Sequence, residues 1–209
     1  MTLCETPSGA TLAESCIPVL ETDRLVLRAP RLEDVAAVAE LANNRKIAEM
    51  TANLPFPYKP SDAHAFVETL AATPQSATFA LFAKAEGAHA FAGMVSFGRR
   101  PPEPAPEIGY WIGEPFWGRG LATEAVRAVI DYAFSETDLS LLVGSARVVN
   151  PGSRRVLEKC GFQWSGVGLT RVKALGASVP VDRFQLDRRT WASIRAWGST
   201  ALPRHRAAH

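Results

Sequence analysis

The chain has 209 residues, with 23 Lys plus Arg against 21 Asp plus Glu, a formal net charge of +2. That balance excludes the strongly basic face of a general nucleic-acid binder, so no direct nucleic-acid partner is expected, and the length suits one α/β domain with a full core. The three cysteines, Cys4, Cys16 and Cys160, include no C-x-x-C pair, which leaves neither a disulfide framework nor a zinc site and fits a reducing, cytoplasmic setting with no metal.

The N-terminal stretch "MTLCETPSGATLAESCIPV" lacks a basic start and a continuous apolar run, so residues 1–19 read as a flexible arm rather than a signal peptide. No apolar run is long enough to cross a bilayer, and no membrane partner is expected. "RLVLRA" (24–29) reads as a first strand, and residues 32–43 as a helix with Leu32, Val35, Val38 and Ala42 on one stripe. A proline-rich loop follows over 44–60. Ser61 then reads as the N-cap of a helix with Ala63, Phe66, Val67 and Leu70 on one face.

Three strands come next, at 77–84, 90–98 and 107–113, the last two joined by the stiff "RRPPEPAP" (99–106). Residues 118–134 carry the cleanest helical period in the chain: Leu121, Ala122, Ala125, Val126, Val129, Ile130, Ala133 and Phe134. A fifth strand (139–148) leads to Asn150, a natural N-cap, and Pro151, a natural first helical residue; Gly161 stops that helix. Strands near 162–170 and 181–187 and a short helix in "RRTWASIRAW" complete a domain over 20–197, and residues 198–209 read as a second flexible end.

The informative stretch is "EPFWGRGLATEA" (114–125), where two glycines precede the most regular helix. The first turn of a helix offers backbone N–H groups without intrahelical partners, at the positive end of the helix dipole. Such a turn binds anions. The N–H groups of Gly118, Arg119, Gly120, Leu121, Ala122 and Thr123 can therefore grip a pyrophosphate, with the Arg119 side chain at its rim. A Gly-x-Gly before a helix also serves as a plain tight turn. The stretch is neither a Walker A loop, since G-K-[ST] is absent, nor the dinucleotide fingerprint, since a third glycine is missing.

The ordered segments "LETDRLVLR", "PFPYKPSDAHAFV", "IGYWIGEPFWGRGLATEA", "VNPGSRRVLEKCGF" and "DRFQLDRRTW" resemble the GNAT superfamily of acyl-CoA N-acetyltransferases. More narrowly they resemble its ribosomal-protein alanine and serine N-terminal acetyltransferase branch. The resemblance spans about residues 20–195. It implies a mixed, mostly antiparallel α/β sheet of six to seven strands flanked by about four helices, with a V-shaped splay between the fourth strand (107–113) and the fifth (139–148). It implies acetyl-CoA as co-substrate and no metal. The family's pyrophosphate loop carries Gln or Arg where this chain has Trp117, while Gly120 and Ala122 fit the pattern.

By the same resemblance, Tyr110, Trp111 and Ile112 would contact the pantetheine arm through main-chain groups, and one of their N–H groups would polarise the thioester carbonyl. Glu107, at the start of that strand, is the candidate base; a solvated strand-edge carboxylate is the alternative. Relatives place a tyrosine acid five residues before the Phe of Gly-Phe, but this chain has Leu157 there. Ser153 is then the nearest hydroxyl for the leaving sulfur, and it also reads as an ordinary first-turn serine. Asn150, Ser153 and Arg154 are further candidates for cofactor contact. Asn53, Phe56 and Tyr58 are candidates for lining the acceptor pocket, although loop aromatics also plug cores. Arg171 and Lys173 favour an acidic acceptor. His64 and His89 have no ligand or nucleophile spacing and read as surface residues. The expected activity is acetyl transfer to a primary amine, foremost a protein N-terminal α-amine. A small amine such as an amino acid, polyamine or antibiotic is the alternative acceptor, and a non-catalytic acyl-CoA sensor is the alternative class. A homodimer stays open.

Overall fold

A computed structural model of the protein describes residues 17–70, 76–85, 88–99 and 105–199. Strands β1 (Leu20–Glu21) and β2 (Leu25–Arg28) are followed by helices α1 (Val35–Ala42), α2 (Arg45–Ala48) and α3 (Pro60–Leu70). Then come β3 (Ser76–Ala85), β4 (Ala88–Gly98), β5 (Glu107–Ile112), α4 (Leu121–Glu136) and β6 (Leu141–Arg147). The chain closes with α5 (Pro151–Lys159), β7 (Gln163–Val172), β8 (Ala177–Asp187) and α6 (Arg188–Ser199). Both terminal arms fall largely outside the described residues, as do Cys4, Cys16 and most of the proline-rich connection.

The strands form one eight-stranded sheet in the order β1-β2-β3-β4-β5-β6-β8-β7, antiparallel everywhere except between β5 and β6. The extra strand relative to the sequence reading is β1, whose two residues are too short to show a period. The first turn after Asn44 is also helical: its side chain caps α2 by accepting from the Lys46 amide at 2.9 Å. Ser61 sits inside α3 rather than capping it. The helix starts at Pro60, and Asp62 accepts from the Lys59 amide at 2.8 Å. β8 begins earlier than its sequence shows because Pro180 hides the pattern. The β6–β8 ladder ends at Arg147↔Val181; just past it the Val148 amide donates to the Pro180 carbonyl at 3.3 Å, and the proline has no N–H to return.

Alternation along the strands sends neighbouring side chains to opposite faces. Phe79 and Leu81 pack with the buried stripe of α4, whereas Ala80 and Phe82 pack with α1 and α3. The α4 stripe is Leu121, Ala125, Val126, Val129, Ile130, Ala133 and Phe134, and each large member contributes on the order of 2 kcal/mol by leaving water. Arg188 closes the far end of this layer, donating to the Phe134, Thr137 and Leu139 carbonyls at 2.5, 2.5 and 2.9 Å.

The feature that positions the site is the junction of β5 and β6. They pair in parallel only at Glu107↔Val143 and Ile108↔Gly144, and beyond Ile108 they diverge. The sheet therefore splits into a V, open toward the ends of both strands.

Candidate active site

One cleft of about 800 Å3 runs through the split from the α4–α5 face to the α2 face. On the α4 side it begins at Gly118, Gly120, Leu121, Ala122 and Thr123. Gly118 and Gly120 have φ of 73° and 76°, the left-handed region that side chains enter at a cost, and Gly120 is the N-cap of α4. A Cβ on Gly118 would meet nothing within 4 Å, and one on Gly120 would meet only Arg24 Nη2 at 3.5 Å. The glycines are thus required by backbone conformation, and the space before the helix is open. The first turn is held by Glu124, which accepts from Thr22 Oγ1 at 2.6 Å, the Arg24 amide at 2.9 Å and Arg24 Nε at 2.7 Å. Burial opposes ionisation of Glu124, but these hydrogen bonds and the Arg24 charge outweigh it and hold the carboxyl below its ordinary value. Arg24 also donates to the Arg119 carbonyl at 2.7 Å, fixing the loop from outside.

Further in, the cleft runs along the open edge of β5. The Gly113 amide donates to the Ala92 carbonyl and the Val143 amide donates to the Pro106 carbonyl. Strand alternation from these two bonds points the main-chain groups of Trp111 at β4 and those of Tyr110 and Ile112 at the split. β6 has already diverged there, so they lack a strand partner on that side. The Ile112 carbonyl is met by the Trp117 indole N–H at 2.6 Å. Trp117, which departs from the family pattern, therefore satisfies one carbonyl of the V itself and leaves the Tyr110 groups and the Ile112 N–H for a ligand.

The Tyr110 side chain crosses to α5, where its hydroxyl lies 2.9 Å from Ser153 Oγ and donates to the Ser153 carbonyl at 3.1 Å. Burial holds the phenol's proton well above its ordinary value, only partly offset by the Ser153 hydrogen bond. Asn150 caps α5 by accepting from the Ser153 amide at 3.0 Å, which fixes the serine at the cleft. Leu157, at the position of the family's usual tyrosine, is fully buried against Gly144. Cys160 is buried too, and burial pushes its thiol up to about 12, so it is inert core.

On the α2 face the cleft is floored by Glu107, Ser145 and Arg147 and walled by Met50, Thr51, Ala52 and Asn53, with Thr170 and Val181 opposite. Ser145 Oγ donates to Glu107 Oε1 at 2.6 Å, orienting the carboxylate at the bottom of the V.

The structure brings Glu107, Tyr110, Trp111, Ile112, Gly118, Gly120, Leu121, Ala122, Thr123, Asn150 and Ser153 to this one cleft, and Asn53 to its rim. Six proposed residues stand outside its lining, Arg171 and Lys173 among them. Tyr58 is a core residue packed with Val38, Ala63 and Phe91. Phe56 lies on the surface under Arg45, 6.0 Å from its guanidinium. Arg154 turns outward to Glu158 at 2.9 Å and Asp182 at 3.5 Å, and Arg119 lies over Phe116 at 5.9 Å. In their place α5 presents Gly152, Arg155, Val156 and Lys159, a helical i, i+3, i+4, i+7 stripe that projection from Gly152 would have found. Arg147 gave no sequence signal of its own. Among the described residues no cluster of His, Cys, Asp and Glu could hold a metal ion.

Comparison with known proteins agrees with this geometry. A family profile described as "Acetyltransferase (GNAT) domain" matches residues 24–163. The uncharacterized N-acetyltransferase p20 of Bacillus licheniformis is 28% identical over 176 residues, covering 83% of this chain and 98% of that protein. The ribosomal-protein-S5-alanine acetyltransferase of Vibrio fischeri superposes with a TM-score of 0.71 at 21% identity, over 84% of this chain and 99% of its own. The spermidine N-acetyltransferase of Vibrio cholerae, solved with CoA and spermine, gives 0.69 at 21% identity, over 82% and 99%. The chain belongs to the GNAT acetyltransferase family, whose acyl donor is acetyl-CoA.

Proposed function

We propose that this acetyltransferase acts on protein N-terminal α-amines. The observation that carries the reading is the continuity of the cleft, which joins the α4 cradle, the open β5 edge and Glu107 without a break and then opens to solvent past the exposed Lys46 and Asn53. A peptide bound by its first residue has a way out along that rim. The Vibrio fischeri protein of the same fold is named for a ribosomal-protein alanine, which supports the same acceptor class.

Acetyl-CoA supplies an activated acetyl group on a thiol leaving group of pKa about 8.5. The residues of the chain do the rest. Amides of residues 118–123 hold the pyrophosphate at the positive end of α4. The Tyr110 N–H and C=O and the Ile112 N–H act as a short strand edge for the amide-bearing arm. One of these donors also polarises the reacting carbonyl, an effect of about 3 kcal/mol where such a donor has been removed elsewhere. Glu107, oriented by Ser145, accepts the proton of an α-ammonium whose pKa is about 8. For Ser153 Oγ to donate to the departing sulfur, the Tyr110 hydroxyl turns its one proton from the Ser153 carbonyl to Ser153 Oγ.

The direct test is thiol release from acetyl-CoA with a panel of peptides and free amines. Turnover on peptides with a free N-terminus, lost when that amine is blocked, is expected. Turnover on free amines alone would replace the acceptor, and tight CoA binding with no turnover on anything would point to a sensor. For the hydroxyl pair, Tyr110→Phe is expected to lower kcat about tenfold with little change in the KM for acetyl-CoA. In a Ser153→Ala background the same change should cost almost nothing. A full additional loss there would separate Tyr110 from Ser153.

A further inference from the structure

We propose that Arg147 is an anion subsite in the acceptor arm, so that the preferred acceptor carries a carboxylate close to its reacting amine. This rests on the acetyl-transfer reading of the cleft and adds the chemical class of what enters its α2 side. Arg147 is the last residue of β6. Val143, Ser145 and Arg147 share one face of that strand, and Ser145 is the residue bonded to Glu107. Two residues of strand place the Arg147 Cα roughly 6.6 Å beyond that of Ser145, toward the open end of the V. A guanidinium therefore follows the candidate base along the path an acceptor takes.

Its electrostatic situation differs from that of Lys46, Arg45 and Arg154. Lys46 is paired with Glu114, Arg45 with Glu49, and Arg154 with Glu158 and Asp182. Arg147 has no carboxylate partner among the described residues. Nη1 donates to the neutral Glu49 carbonyl at 2.6 Å and lies 3.9 Å from Met50 Sδ. Its Nε is screened from solvent and has no hydrogen-bond partner among the described residues. An arginine offers five donors in a planar fork shaped for a carboxylate, and here a screened donor is left idle in a site that opens on the substrate path. A carboxylate reaching Nε requires the guanidinium to turn from the Glu49 carbonyl toward the cleft, and a two-point pair with the fork then repays that rotation. The spacing suits an acidic side chain on the first or second residue of an N-terminal peptide. It opposes polyamines, whose further ammonium groups would meet a fixed positive charge.

The test compares peptides that differ only by Glu or Gln at the first position, and again at the second, using the full chain and acetyl-CoA. Wild-type protein is expected to favour Glu at one of these positions by about tenfold or more in kcat/KM. Arg147→Met should bring the Glu/Gln ratio close to one, and Arg147→Lys should leave an intermediate ratio. The ratio is taken within one variant, so any loss of folded protein cancels, and an unchanged KM for acetyl-CoA separates the subsite from general damage. A wild-type ratio near one at both positions, or a ratio that survives Arg147→Met, overturns the proposal. Should peptides be inert while free amino acids react, the N-terminal reading fails separately. An amino acid against its α-amide, alanine against alaninamide, then carries the Arg147 comparison with the same two outcomes.

Discussion

Gly120→Asp is expected to weaken coenzyme A binding about a hundredfold or more, ~2.7 kcal/mol, while the fold persists. Gly120 caps α4 with φ 76° and ψ 3°. Asp tolerates that left-handed conformation better than most residues, and the strain is about 1–2 kcal/mol. A Cβ there meets no backbone, only the end of the Arg24 side chain at 3.5 Å. Arg24 is already committed to Glu124 and to the Arg119 carbonyl, so it is poorly placed to neutralise a second carboxylate. The new charge would stand in front of the α4 amides, where the pyrophosphate is proposed to be held. Two like charges 4 Å apart near a protein surface repel by about 4 kcal/mol, enough for the predicted loss. Gly120→Ala carries at least as much strain without the charge. Calorimetry should therefore show a modest loss for Ala and a severe one for Asp; equal affinities would remove the charge argument for the cradle.

Glu107→Gln is expected to cut turnover of an α-amine acceptor by about a hundred- to ten-thousandfold at acidic pH, and by much less at alkaline pH. The sign follows from the acceptor. Below its pKa of about 8 the amine is protonated and must give up a proton to react; above it the neutral amine is already abundant and the base matters less. The wild-type to Gln ratio of kcat/KM should thus fall as pH rises through that value. Gln retains an oxygen to accept from Ser145 Oγ, which now bonds Glu107 Oε1 at 2.6 Å, so the bottom of the V keeps its packing. A ratio that stays flat with pH would deny Glu107 the role of base.

Local patterns in the sequence read well where one element contains the whole signal. The stripe of α4 shows at helical spacing because its buried residues all face one sheet, and Asn150-Pro151 announces α5 because cap and first-turn chemistry are local. The glycines at 118 and 120 were legible as special because each sits at a positive φ that other residues enter at a cost. Features made by two distant elements did not show. Tyr110 and Ser153 are 43 residues apart, and their 2.9 Å contact exists only because β5 runs beside the start of α5. The hydroxyl facing the split is therefore supported from a strand, in a chain whose α5 carries Leu157 where relatives carry tyrosine. Tyr58 looked like a pocket residue in a loop, yet the loop folds it into the α1–α3 layer, where its amide also donates to Asn43 Oδ1 at 3.0 Å. Arg154 and Arg155 are neighbours in sequence, but a helix turns about 100° per residue, so one faces Glu158 and the other the cleft. Arg147 is an ordinary strand-end arginine until the sheet topology places it past Glu107.

The cradle at the start of α4 bears the most weight, and a crystal structure with coenzyme A bound tests it most directly. The pyrophosphate oxygens should lie about 3 Å from the N–H groups of residues 118–123. Coenzyme A bound with its pyrophosphate elsewhere, and those amides facing only water or the protein's own side chains, would contradict it.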